Sequence, residues 1–141
     1  MSKTKSISVA ILGSRDFNNY ELLKNRIDKI LIDKNVEQLI SGGANGTDKL
    51  AEKYASDNNY QIKVIKPDWK KGKWAGLERN SEIIEQSDIV IAFWNGISRG
   101  TFHIINKTEK LNKQLYIINI MDYPIYVQQN SICLIGCNIA Y

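Results

Sequence analysis

Short β-branched runs alternate along this chain with longer segments whose apolar residues recur at three- and four-residue spacing, the mark of a parallel α/β sheet. The runs predict strands over residues 7–12, 38–41, 61–66, 88–93 and 114–120. Leu23, Ile27, Ile30 and Leu31 share one face of a helix expected over 20–34, and Leu50, Ala51, Tyr54 and Ala55 one face of a second over 47–56. A third helix is expected over 77–86 and a fourth over 101–112. Right-handed crossovers between these elements give a Rossmann-like, doubly wound, mainly parallel five-stranded sheet with flanking helices. Residues 121–141 break the alternation with only Asp122 charged, and 125–128 and 132–139 read as a short C-terminal β extension. An uncharged edge of that kind either pairs with a second copy of the chain or folds over its own sheet.

In a doubly wound sheet ligands sit beyond the carboxyl ends of the strands, so the chemistry is expected just after each strand. Gly13, Ser14, Arg15 and Asp16 follow the first, and Gly42-Gly43-Ala44-Asn45-Gly46-Thr47-Asp48 follows the second. Standing between strand and helix, the glycine-rich run suits an anion held by backbone N–H groups with the helix dipole behind them. It is neither a Walker loop nor a spaced dinucleotide fingerprint. The same residues also suit a tight turn with Thr47 or Asp48 as N-cap. Arg15 fits a forked grip on phosphate or an ordinary surface pair with Asp16. Arg79, between Glu78 and Asn80, is expected at the opening of the third helix, where the dipole disfavours a cation and an anionic partner is called for. Trp69 and Trp74 lie among lysines, a mixture suited to stacking a nucleobase or to a small local core.

Composition narrows these readings. With 141 residues, 43% hydrophobic and 24% charged, the chain reads as one globular domain over 1–141, its core within about 7–120. The net charge of +4 is concentrated: residues 66–79 carry five basic against two acidic groups, and 99–113 four against one. A local excess beside two loops argues for a small multivalent anion more than for a polymer. Cys133 and Cys137 match no metal pattern, and the single histidine, His103, has no ligand partner at useful spacing. Neither a metal, a cofactor nor a Ser-His-Asp triad is expected. The apolar run after Lys3 and Lys5 is too short for a signal peptide or a membrane helix, so a cytoplasmic protein without membrane contact is expected.

Taken together, Ile11-Leu12-Gly13-Ser14-Arg15-Asp16-Phe17, the Ser41 to Asp48 run, Pro67-Asp68-Trp69 with Gly76-Leu77-Glu78-Arg79-Asn80, and Ala92-Phe93-Trp94-Asn95-Gly96-Ile97-Ser98-Arg99-Gly100-Thr101 resemble the YspA-like family of the SLOG superfamily. The resemblance implies a Rossmann-like fold that binds nucleotides or nucleotide-derived molecules. The superfamily includes cytokinin-activating phosphoribohydrolases, the DNA-processing protein DprA, and sensor domains for ADP-ribose-derived signals. It implies ligand contacts at Gly13, Ser14, Arg15, Gly42 to Asp48, Trp69, Arg79, Asn80, Trp94, Asn95, Gly96, Ser98, Arg99, Gly100 and Thr101, with Trp69 or Trp94 against the base. The hydrolases carry a glutamate after the Gly-Thr pair, where Phe102 and His103 stand here. That departure favours binding of an ADP-ribose or cyclic-nucleotide type of ligand, as a sensor or sequestering protein. The alternatives are nucleotide N-glycosidic hydrolysis, with Glu78 or Asp16 replacing the missing acid, and single-stranded DNA binding.

Overall fold

The computed structural model describes residues 5–121 and 133–136. Alternation along the central strands sorts their side chains onto two faces. In β1 (Ile7–Gly13), Val9 and Ile11 point to one layer and Ala10 and Leu12 to the other. In β4 (Ile89–Trp94) every residue is buried, because both faces are covered. The first layer is closed by Leu23, Ile27, Ile30 and Leu31 of α1 (Tyr20–Leu31) with Ala51, Tyr54 and Ala55 of α2 (Thr47–Asp57). The second is closed by Ile83 and Ile84 of α3 (Ala75–Glu85) with Ile104 and Ile105 of α4 (Arg99–Lys110). Each fully buried Ile or Leu contributes about 1.5–3 kcal/mol by leaving water.

With β2 (Val36–Ser41), β3 (Ile62–Val64) and β5 (Gln114–Asn119), the sheet runs β3-β2-β1-β4-β5, all parallel. A sixth strand, β6 (Cys133–Gly136), pairs in parallel with β5 within the expected extension. The expected strand over 125–128 lies outside the described residues. Strand order reverses between β1 and β4, so the loops after these two strands diverge and open a crevice.

Element boundaries differ from the expected ones where local hydrogen bonds decide them. β3 is three residues long instead of six, although Ile65 N–H still donates to Ser41 O at 2.9 Å. α3 starts at Ala75, because the Trp74 carbonyl accepts from both Leu77 and Glu78 N–H groups. α4 starts at Arg99, because the Ser98 hydroxyl accepts the Thr101 N–H at 3.3 Å. No helix among the described residues is long and apolar enough to cross a membrane.

Candidate functional site

The crevice at the switch point has two adjacent lobes. The inner one, about 360 Å³, is walled by the β1 loop (Gly13, Ser14, Arg15, Asp16), Ala44 and Asp48, Arg79 and Asn80 of α3, and Asn95, Ser98, Gly100 and Thr101 at the start of α4. The outer one, about 380 Å³, is walled by Gly42, Gly43, Asn45, Lys66, Pro67 and Trp69. Arg15, Ala44 and Arg79 belong to both.

Much of the glycine-rich loop serves the protein itself. Thr47 is fully buried, and both its N–H and its hydroxyl donate to Ser14 O, at 3.2 and 2.9 Å. Ser14 in turn donates its N–H to Phe93 O and accepts the Asn95 N–H on Oγ, so one residue ties together three loops. Gly46 has φ +74°, and a Cβ there would lie 2.3 Å from the Arg15 carbonyl oxygen. Only glycine lets the two loops come this close.

Asp48, in the first turn of α2, folds back so that its Oδ2 accepts the Ala44 N–H at 3.1 Å. A carboxylate therefore already occupies the loop where an external phosphate was one of the expected readings. Asp48 is 5% exposed, and its Oδ1 has no partner among the described residues. Burial pushes its carboxyl up to about 6; the Ala44 N–H, Arg79 and Arg15 pull the other way, and Glu52 adds to the rise.

Arg79 is 7% exposed. Its Nη1 donates to Gly42 O and its Nε to Asn80 Oδ1, the latter at 2.8 Å. Because α3 starts at Ala75, Arg79 sits on the second turn, and the expected conflict with the helix dipole does not arise there. What perturbs the guanidinium is burial, which lowers its pKa, with Asp48 restoring part of the loss. A Cβ on Gly42 would meet Arg79 Nη1 and Asp48 Oδ2 at 2.7 and 2.8 Å, so this glycine is where the two charged groups close in.

The α4 start is built differently. Asn95 Oδ1 accepts the Ile97 and Ser98 N–H groups, both at 2.8 Å, which shapes the turn around Gly96 at φ +85°. Ser98 then caps Thr101, while the Arg99 and Gly100 N–H groups have no acceptor among the described residues. The first turn of α4 contains no acidic residue.

Several expected residues fall outside both lobes. Trp94 is in the core, with its Nε1 donating to Ser98 O at 3.1 Å and its ring stacked on Phe102 at 6.0 Å, so it is not placed to meet a base. Gly46 and Thr47 join loops, and Gly96, Arg99 and Glu78 line neither lobe, whereas Asp16 lines the inner one. Trp69 is 58% exposed on the outer lobe, beside Lys66, which was noted only as part of a basic stretch. His103 is half-buried on α4 and pushed down by burial, Lys107 and Lys110. Among the described residues no group of three His, Cys, Asp or Glu could hold a metal ion.

The fold is similar to that of DNA processing protein A from Helicobacter pylori, a protein described for its single-stranded DNA binding mode (TM-score 0.64, 19% identity, 82% of this chain and 66% of that one). It is also similar to DprA from Streptococcus pneumoniae (TM-score 0.67, 17% identity, 82% and 52%) and to TM1055 (TM-score 0.57, 16% identity, 94% and 92%). The chain thus spans about two-thirds and about half of the two DprA chains. In sequence, it is 32% identical over 93 residues to the Gene 61 protein of Mycobacterium phage D29, covering 61% of this chain and 73% of the phage protein. Residues 7–72, which include the β1 loop and the glycine-rich loop, match the model of one family. The chain belongs to the YspA, cpYpsA-related SLOG family.

Proposed function

We propose that this protein binds a nucleotide-derived small anion, of ADP-ribose or cyclic-nucleotide type, and acts as a sensor or sequestering protein. The observation that carries the reading is the convergence of the Gly100 N–H, which has no acceptor among the described residues, with Arg15 and Arg79 on one lobe, beside a second lobe with Lys66 and Trp69. Helix dipole, backbone donors and guanidinium groups favour negative charge. An exposed tryptophan next to a lysine suits an aromatic base attached to that charge. The phosphate belongs in the inner lobe and the base in the outer one.

Heat release of copurified small molecules, identified by mass spectrometry, together with calorimetric titration of a nucleotide panel, tests the reading. A bound nucleotide derivative, or binding that ignores the length of an attached oligonucleotide, supports it. No ligand and no binding across the panel overturns it. Affinity that rises with oligonucleotide length and falls steeply with salt would replace it with nucleic-acid binding. Release of free base from nucleoside monophosphates would make the protein a hydrolase.

A further inference from the structure

The two lobes differ in the charge of their walls. Arg15 and Arg79 line both, but the inner lobe adds two acids, Asp16 and Asp48, whereas the outer one adds a third cation, Lys66, and no acid among the described residues. Side-chain attraction for an anion is therefore strongest in the outer lobe, which the proposed function gives to a base. A base is neutral and needs only a ring to stack on, which Trp69 supplies. Three cations without an acid call for something more.

Two of these cations are free to meet a ligand. Arg79 is engaged, since its Nη1 and Nε donate to Gly42 O and Asn80 Oδ1. Arg15 and Lys66 are exposed, and their side chains make neither a hydrogen bond nor an ion pair among the described residues. Both are nevertheless held in place. The Arg15 carbonyl oxygen fills the space that Gly46 leaves, 2.3 Å from where a Cβ would stand, which fixes the arginine backbone. The stem of Lys66 lies along the glycine-rich loop: a Cβ on Gly43, at φ +73°, would meet Lys66 Cγ and Cε at 3.3 and 3.4 Å. A packed stem with an unpaired ammonium is a lysine placed for an external anion rather than one adrift in solvent.

Resting on the proposed nucleotide reading, we infer that the outer lobe is a second phosphate subsite, formed by Lys66 and Arg15 beside Trp69, and that the ligand carries two phosphoryl groups, one for each lobe. Arg15, which lines both lobes, serves both groups. The assignment narrows the ligand class. A cyclic nucleotide or a simple monophosphate has one phosphoryl group and leaves Lys66 unmatched, whereas a diphosphate or a bisphosphate fills both lobes.

The test is calorimetric titration of AMP, of ADP with its linked phosphates, and of adenosine 3′,5′-bisphosphate with its separate ones, against the wild-type protein, Lys66→Met and Lys70→Met. Methionine removes the charge and keeps an unbranched stem for the contact with Gly43, while Lys70 is an exposed lysine that lines neither lobe. The expected result is that one or both of the doubly phosphorylated ligands bind the wild type about tenfold or more tightly than AMP does. That preference should fall to near unity in Lys66→Met and survive in Lys70→Met, and the ligand that shows it tells whether the two phosphates are linked. Wild-type affinity that is equal for all three, or highest for AMP, overturns the inference and leaves the nucleotide reading standing. A preference retained in Lys66→Met, or lost equally in Lys70→Met, also overturns it, because the first result takes Lys66 out of the subsite and the second reduces the effect to net charge. Binding of none of the three, nor of ADP-ribose, overturns this inference together with the reading it rests on. Should Lys66→Met not fold, the wild-type preference and its survival in Lys70→Met decide.

Discussion

Two strand-to-helix loops face each other across the crevice, and they use their backbone groups in opposite ways. The loop before α2 has three of its seven residues as glycine, yet Ala44 N–H is taken by Asp48, Thr47 N–H by Ser14 O, and Gly46 is needed to let the Arg15 backbone pass. The loop before α4 looks less like a phosphate loop, but its Arg99 and Gly100 N–H groups have no acceptors among the described residues and its first turn has no acid. Glycine content thus reports how closely two chains approach, while the hydrogen-bond account reports where an anion fits.

The contrast breaks most sharply at Gly46. If its role is close loop approach, Gly46→Ala should destabilise the fold by about 3 kcal/mol or more, combining a conformation that side chains avoid with a backbone clash. Denaturant titration measures this. A loss under about 1 kcal/mol would mean that the β1 and α2 loops are not locked together.

Next in size is the pH dependence set by Asp48. Its folded pKa of about 6 lies above the ordinary aspartate value of 3.8, so the folded state holds its proton more tightly than the unfolded one. That contribution is present below about pH 4 and is lost as pH rises through 6, a loss of up to about 3 kcal/mol at pH 7. Of the groups facing it, Ala44 N–H, Arg79 and Arg15 oppose the rise, and Glu52 supports it. Asp48→Asn should therefore be more stable than wild type above pH 6 and lose this slope, as Tm measured from pH 4 to 8 will show. A wild-type Tm that rises through this range in step with the variant contradicts it. Thr47→Val is smaller: removing the buried hydroxyl bond to Ser14 O should cost about 1 kcal/mol, because the Thr47 N–H still serves the same oxygen. A denaturant midpoint unchanged from wild type would detach the hydroxyl from loop locking.

The parallel sheet, the helix faces and the position of the crevice were legible because they rest on periodicity and on the switch-point rule. Leu23, Ile27, Ile30 and Leu31 are buried together as their spacing requires. The placement of Trp94 was not legible: as the last residue of β4 it continues the strand, and which face it takes depends on the exact strand end. Nor was the Asp48 carboxylate, since turning back onto Ala44 is a tertiary choice that competes with simple capping of α2. Arg79 was singled out for the wrong local reason, because the helix begins two residues before the position expected from periodicity and moves the arginine off the first turn. Lys66 was hidden in a run of lysines of which only the fold selects one for the outer lobe.

The smallest effect on the fold is the most telling for the comparison. A Cβ built on Gly100 meets nothing within 4 Å, and the residue lies in the first turn of α4 without a left-handed backbone. Nothing in the folded protein therefore asks for glycine there. Gly100→Ala should leave stability unchanged or raise it by up to about 1 kcal/mol, as the unfolded chain loses freedom. If the Gly100 N–H receives the phosphate, the added methyl obstructs the close approach that such a contact needs, and AMP affinity should fall about tenfold, equivalent to about 1.4 kcal/mol. A thermal melt and a titration on the same sample read both quantities. Retained affinity would move the phosphate away from α4 and remove the functional side of the contrast, whereas lost stability would show that this glycine, like Gly46, serves the fold.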